Sequence, residues 1–81
     1  MNNIVYFERV LSILVAVRDL PIATTENLVD VLDFKISLRT AQRYLRALED
    51  AGYVKRVSSI TWDFDRFFLT DKAINLIGCG K

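Results

Sequence analysis

The feature that most constrains the fold of this chain is one window that places apolar and basic residues on opposite sides of a helix. From Ser37 to Gly52 it reads SLRTAQRYLRALEDAG. Its apolar residues recur three and four positions apart, which is typical of a helix with one buried face; they are Leu38, Ala41, Leu45 and Leu48. The basic residues follow the same period on the other side; they are Arg39, Arg43 and Arg46, with Gln42 beside them. The window therefore predicts a helix over 37–51, anchored in the core on one side and cationic on the other.

A helix face with three guanidinium groups and an amide suits a nucleic-acid groove. Arginine binds guanine or clamps phosphate with two parallel hydrogen bonds, and glutamine pairs with adenine. The first turns of such a helix reach deepest into the major groove. The candidates for base contacts are therefore Arg39, Gln42 and Arg43. The candidates for phosphate contacts on this helix are Ser37, Thr40 and Arg46. A solvated helix face is the alternative, and Ser37 has the further alternative of a helix cap alone.

The charge of the chain is unevenly distributed. The net charge is only +1, so total charge gives no argument for a polyanionic partner. Between Lys35 and Arg56, however, six positive residues stand against two negative ones, for a local charge of +4. The remainder of the chain carries −3. An oriented field of this kind steers a charged ligand toward one face.

The residues that most enzymes and metal sites need are scarce. The sequence has no histidine and a single cysteine, Cys79, which removes the commonest general base, the commonest metal ligand and any internal disulfide. We therefore expect no catalysis, no metal and no cofactor, and no small-molecule ligand is evident. The sequence has neither an apolar run of membrane-spanning length nor a signal-peptide start. A cytoplasmic protein, associated with the nucleoid, is the expectation.

The first predicted helix, over 3–19, is apolar nearly all round. One face carries apolar residues at helical spacing, and further valines and isoleucines extend well beyond that face. The residues of the face are Ile4, Phe7, Leu11, Leu14 and Val15. A helix of this kind is either central in its fold or shared with a partner. Because 81 residues leave little protein to wrap it, we expect a homodimer built through this helix and possibly the C-terminal helix.

The rest of the chain predicts a second helix, a hairpin and a last helix. Pro21 ends the first helix, Ile22 and Ala23 form a short extended piece, and Thr24 or Thr25 caps a helix over 25–33. Alternating residues then predict a β-hairpin over 53–69, and Thr70 caps a helix over 70–77. The predicted class is mainly α (α+β). The predicted architecture is a single winged helix-turn-helix domain over 1–81, with a three-helix core, a hairpin called the wing and a short C-terminal helix.

The predicted hairpin also contains candidates for phosphate contacts and for packing against the helices. Lys55 and Arg56 at its start are expected to contact phosphate. Phe67 and Phe68 cannot both face inward, because neighbouring residues on a strand point to opposite faces. Trp62 is expected to pack back onto the third helix. Tyr44, on the third helix, is expected to pack against the second.

The window from Thr25 to Val54 resembles the helix-turn-helix of the DeoR and IclR families of bacterial regulators. The residues that carry this resemblance are Ser37, Arg39, Thr40, Gln42, Arg43, Leu45, Leu48, Glu49, Gly52, Tyr53 and Val54. The stretch from Leu69 to Ala73 is similar to the strand-to-helix exit of MarR-like and PadR-like winged helices. These resemblances imply sequence-specific binding of double-stranded DNA, transcriptional control and a dimer.

Our interpretation of the sequence is a DNA-binding transcriptional regulator, a repressor that acts as a homodimer. The alternative is a winged helix that serves as a protein–protein adaptor without direct DNA binding. The near-neutral total charge favours the adaptor, as do Asp63 and Asp65 at the wing tip, where carboxylates repel phosphate.

Overall fold

A computed structural model of the chain describes residues 3–61 and 64–78. Within these ranges there are four helices and one antiparallel hairpin: α1 (Asn3–Asp19), α2 (Thr25–Val31), α3 (Leu38–Asp50), β1 (Val54–Val57), β2 (Arg66–Leu69) and α4 (Asp71–Ile77). The mainly helical α+β class is therefore confirmed. The expectations for Trp62, Asp63 and Cys79 concern residues outside the described ranges.

Three of the helices begin after a threonine or serine that caps them. The side chains of Thr24, Ser37 and Thr70 each accept a hydrogen bond from the backbone N–H three residues later. Such caps satisfy one of the N–H groups that a helix leaves without a partner in its first turn. At its other end α2 stops at Val31, two residues before the prediction, because Leu32 takes an extended backbone conformation with ψ 143°.

The end of α3 is fixed by Gly52. This residue has φ +87°, a backbone conformation that residues with a Cβ adopt only at a cost in free energy. Its N–H donates to the Glu49 carbonyl at 3.0 Å, and the N–H of Tyr53 donates to the Leu48 carbonyl at 2.9 Å. These two bonds form a Schellman motif. The chain therefore leaves α3 abruptly and enters β1.

The hairpin packs one of its faces against the helices. In its register Val54 pairs with Leu69 and Arg56 with Phe67, and directly paired residues share a face. Phe67 is 7% exposed and Phe68 43%, so the prediction that only one of them faces inward is confirmed. The N–H of Phe67 also donates to the Ala23 carbonyl at 2.8 Å, which joins β2 to the segment between α1 and α2.

The core lies where α1, α2, α3 and the hairpin meet. The largest fully buried side chains are Ile13, Leu14, Leu28, Leu45 and Val54. On α1 the core takes the face of Ile13, Leu14 and Val17.

The apolar face that the spacing marks on α1 lies mostly outside the core. Ile4 is 62% exposed and Phe7 56%. Only Leu14, of the residues predicted for this face, is buried. Residues 3–8 are all exposed, so the first turns of α1 extend past the core, and packing at the other end selects which face is buried.

Candidate functional site

The polar face of α3 lies at the surface and its apolar face lies in the core. Ala41, Leu45 and Leu48 are between 1% and 6% exposed. Four of the polar residues predicted to contact bases or phosphate lie on this helix and are exposed; they are Arg39, Gln42, Arg43 and Arg46. Leu38 departs from the predicted pattern because it is 44% exposed. The structure thus brings the four polar side chains together on one continuous strip along α3.

The arginines of this strip are not used inside the described part of the molecule. Among the described residues, Arg39, Arg43 and Arg46 form neither a hydrogen bond nor an ion pair. Asp50 stands four residues after Arg46, a spacing at which helix residues often pair, but no such ion pair forms. Three guanidinium groups therefore remain available to an external acceptor.

The hydroxyls of Ser37 and Thr40 are coupled. Ser37 Oγ accepts from the backbone N–H of Thr40 and donates to Thr40 Oγ1, both at 3.1 Å. The proton of Ser37 is thus engaged locally, as expected of a helix cap. Thr40 accepts from Ser37, so its own hydroxyl proton is left to donate to an outside group.

The two basic residues at the start of the hairpin point to opposite faces. Lys55 pairs with Phe68 on the outer face and is exposed. Arg56 shares the inner face with Phe67. Its Nε lies 3.8 Å from Glu49 Oε1 and its Nη1 lies 3.7 Å from Asp65 Oδ2. Arg56 therefore links the hairpin to α3, and the two carboxylates offset its charge while its side chain stays 51% exposed.

A groove of about 670 Å³ separates α3 from the hairpin. Its charged lining is mixed, with Arg46 and Arg56 set among Glu26, Glu49 and Asp65. The excess of acids lowers the local potential beside the hairpin. Arg39 and Arg43, in the N-terminal half of α3, do not line this groove and have no acidic ion-pair partner among the described residues.

Tyr44 makes an aromatic contact that the sequence did not predict. Its ring stacks on Tyr6 of α1, with centroids 5.5 Å apart and an interplanar angle of 28°, and it packs against the hydrophobic core. Nearby, the guanidinium of Arg9 lies 5.1 Å from the centroid of the Phe34 ring. These contacts fix the first turns of α1 beside α3 and the α2–α3 connection.

Sequence reasoning missed the partners of Arg56. Glu49 lies on α3 and Asp65 lies in the loop before β2. No spacing rule links Arg56 to a helix residue seven positions earlier or to a residue across the hairpin. Sequence reasoning also gave no role to Lys35, which is exposed and lies shortly before α3 in the sequence. The only sequence feature that points to Lys35 is its position in the positively charged stretch 35–56.

No family model, curated protein or solved structure matches the chain. Within the described residues, none of the helices has the length and apolar character needed to cross a membrane. The same residues contain no group of three acidic, histidine or cysteine side chains arranged to hold a metal ion.

Proposed function

We propose that this chain is a winged helix-turn-helix protein that binds double-stranded DNA at specific sequences and regulates transcription, as a homodimeric repressor. The observation that carries the proposal is the polar face of α3. It presents three arginines and a glutamine to solvent, and those arginines lack internal partners among the described residues. The opposite face is anchored by buried leucines, so the strip is held on a rigid element.

The order of the elements supports the proposed architecture. Three helices followed by a β-hairpin is the arrangement of a winged helix. The hydrogen bond from Phe67 to Ala23 adds to this, because it ties the hairpin to the segment between α1 and α2. The segment that connects α2 to α3, residues 32–37, is the turn of the proposed helix-turn-helix.

We assign roles along α3 according to reach and hydrogen-bonding capacity. The side chains proposed to read base edges in the major groove are Arg39, Gln42 and Arg43. The groups proposed to hold the phosphate backbone are Thr40, Arg46 and Lys55, together with Ser37 once its hydroxyl turns from Thr40 Oγ1 to a phosphate oxygen. Arg56 is proposed as a weaker phosphate contact, because Glu49 and Asp65 offset its charge.

The proposal is tested by selecting bound duplexes from a random pool and measuring the affinity of the best one. Replacing Arg43→Ala removes a proposed base contact worth roughly 1–3 kcal/mol, so we expect affinity to fall roughly 5- to 150-fold for each half-site that the dimer occupies. Lys72→Ala is the control for the loss of one positive charge, because Lys72 is exposed on α4 and outside the strip; its affinity should equal that of the wild type. Equal affinities of the Arg43 variant and the wild type would remove the assignment.

One observation favours a protein–protein adaptor as the second candidate. The groove between α3 and the hairpin is lined by three acids and two bases, and Arg56 is already paired there. An adaptor would bind no duplex from the pool, or would bind without sequence preference. Selection of a preferred sequence separates the two functions.

A further inference from the structure

Leu38 is an apolar residue at the surface of α3 that the proposed contacts leave without a role. It is the first residue of the helix, directly after the cap Ser37. The other three residues of the predicted apolar face are buried, with exposures of 1% to 6%, whereas Leu38 is 44% exposed. The core therefore accounts for only part of this side chain, and the remainder is open to solvent at the start of the polar strip.

Leu38 lies on the same side of α3 as Gln42, one helical turn before it. Residues four apart on a helix lie on one face, with Cβ atoms about 5–6 Å apart. Leu38, Gln42 and Arg46 all line the groove between α3 and the hairpin, and Gln42 is exposed there. A base pair that reaches the amide of Gln42 therefore brings the neighbouring base pairs close to the side chain of Leu38.

The major groove of a duplex offers such a side chain one apolar group. Every base pair presents hydrogen-bond donors and acceptors at its major-groove edge, and thymine alone adds a C5-methyl group. A leucine set against a donor or acceptor would bury it without a partner, which is unfavourable. The chemistry of Leu38 therefore matches thymine and none of the other three bases.

We propose that Leu38 is a specificity-determining residue that contacts the methyl group of a thymine one or two base pairs from the adenine read by Gln42. Successive bases of a strand are about 3.4 Å apart, so the spacing of about 5–6 Å between the two side chains corresponds to one or two steps. The contact favours thymine over cytosine, which lacks the methyl group and presents an amino donor. This inference rests on the proposed function and extends its base readout by one base pair.

Deoxyuridine tests the contact on the unaltered protein, because it pairs with adenine as thymine does and lacks only the C5-methyl group. In the duplex selected from the random pool, each thymine is replaced by deoxyuridine in turn. Replacement at the proposed position should lower affinity about fourfold for each half-site that carries it, as expected when one methyl group is removed from an apolar contact. The same replacement should leave the affinity of the Leu38→Ala variant unchanged.

Leu76→Ala is the matched control, since Leu76 is a 61% exposed leucine on α4; this variant should lose affinity on the replacement as the wild type does. A purely structural role of Leu38 would weaken the binding of both duplexes equally in Leu38→Ala and leave their ratio unchanged, which would overturn the inference. A duplex whose affinity no deoxyuridine replacement lowers would also overturn it, while leaving the proposed function intact. Failure to select any duplex would overturn the proposed function, and this inference with it.

Discussion

Thr70 connects the start of α4 to the end of α3 through one hydroxyl, so its removal should destabilise the fold more than the loss of an ordinary helix cap. Its Oγ1 accepts from the backbone N–H of Ala73 at 3.4 Å and donates to the Gly52 carbonyl at 2.5 Å. It thereby caps α4 and ties that helix to the end of α3. Ser37 is the comparison, because its hydroxyl is exposed and bonds only within residues 37–40.

The expected magnitudes follow from these contacts. A lost helix cap costs about 1 kcal/mol, and a lost tertiary hydrogen bond to a partly buried carbonyl costs about 1 kcal/mol more. We therefore expect Thr70→Ala to lower the free energy of unfolding by about 2 kcal/mol and Ser37→Ala by about 1 kcal/mol. For a domain of this size 1 kcal/mol corresponds to roughly 4–8 °C in Tm.

Urea denaturation followed by circular dichroism measures both variants. Thr70→Ser is the control, because serine keeps the hydroxyl and is an equally good cap; its stability should stay close to that of the wild type. Equal losses for Thr70→Ala and Ser37→Ala would refute the reasoning, since they would show that the bond to Gly52 contributes nothing.

Three further predictions concern the hairpin and the turn before it. Phe67→Ala should lower the free energy of unfolding by about 3–5 kcal/mol because the Phe67 ring is buried. Phe68→Ala should lower it much less because the Phe68 ring is half-exposed. Similar urea midpoints for the two variants would contradict the observed register. Gly52→Ala should lower the free energy of unfolding by about 1–2 kcal/mol, because alanine is strained in the left-handed backbone conformation of this position. The strain is the expected cause, since a Cβ there meets only Lys72 Cδ, at the ordinary contact distance of 3.9 Å. An unchanged melting temperature would be inconsistent with φ +87°. Arg56→Gln should lower stability by less than about 1 kcal/mol, as expected for an exposed ion pair, and 1 M salt should erase the difference; a larger, salt-independent loss would show that the side chain acts by packing.

The sequence predicted α3 and its caps because the information for them is local. A serine before the helix, leucines three or four residues apart and a glycine after the end are all contained in one short window. Each of these signals acts through hydrogen bonds and packing within a turn or two. The same holds for Thr70 and α4, whose cap lies next to it in the chain.

Contacts between distant segments were not predictable in this way. The first helix has two apolar faces, and the choice of the face with Ile13 over the face with Ile4 depends on where α2, α3 and β2 pack. The stacking of Tyr44 on Tyr6 and the pairing of Arg56 with Glu49 likewise depend on the placement of whole elements. For the candidate site, local periodicity therefore predicted which side chains of α3 are exposed, but not that Arg56 is already paired.

The salt dependence of duplex binding tests the central claim most directly. If the arginines of α3 bind phosphate and bases, the logarithm of the binding constant should fall linearly with the logarithm of salt concentration, with a slope of roughly −3 to −5 for three to five neutralised phosphates. Arg46→Ala removes one phosphate contact from each copy of the dimer and should make that slope shallower by about 1.8. Arg56→Ala, which removes an already paired charge, should change the slope less. Failure to bind any duplex at low salt, or an affinity that does not respond to salt, would contradict the account.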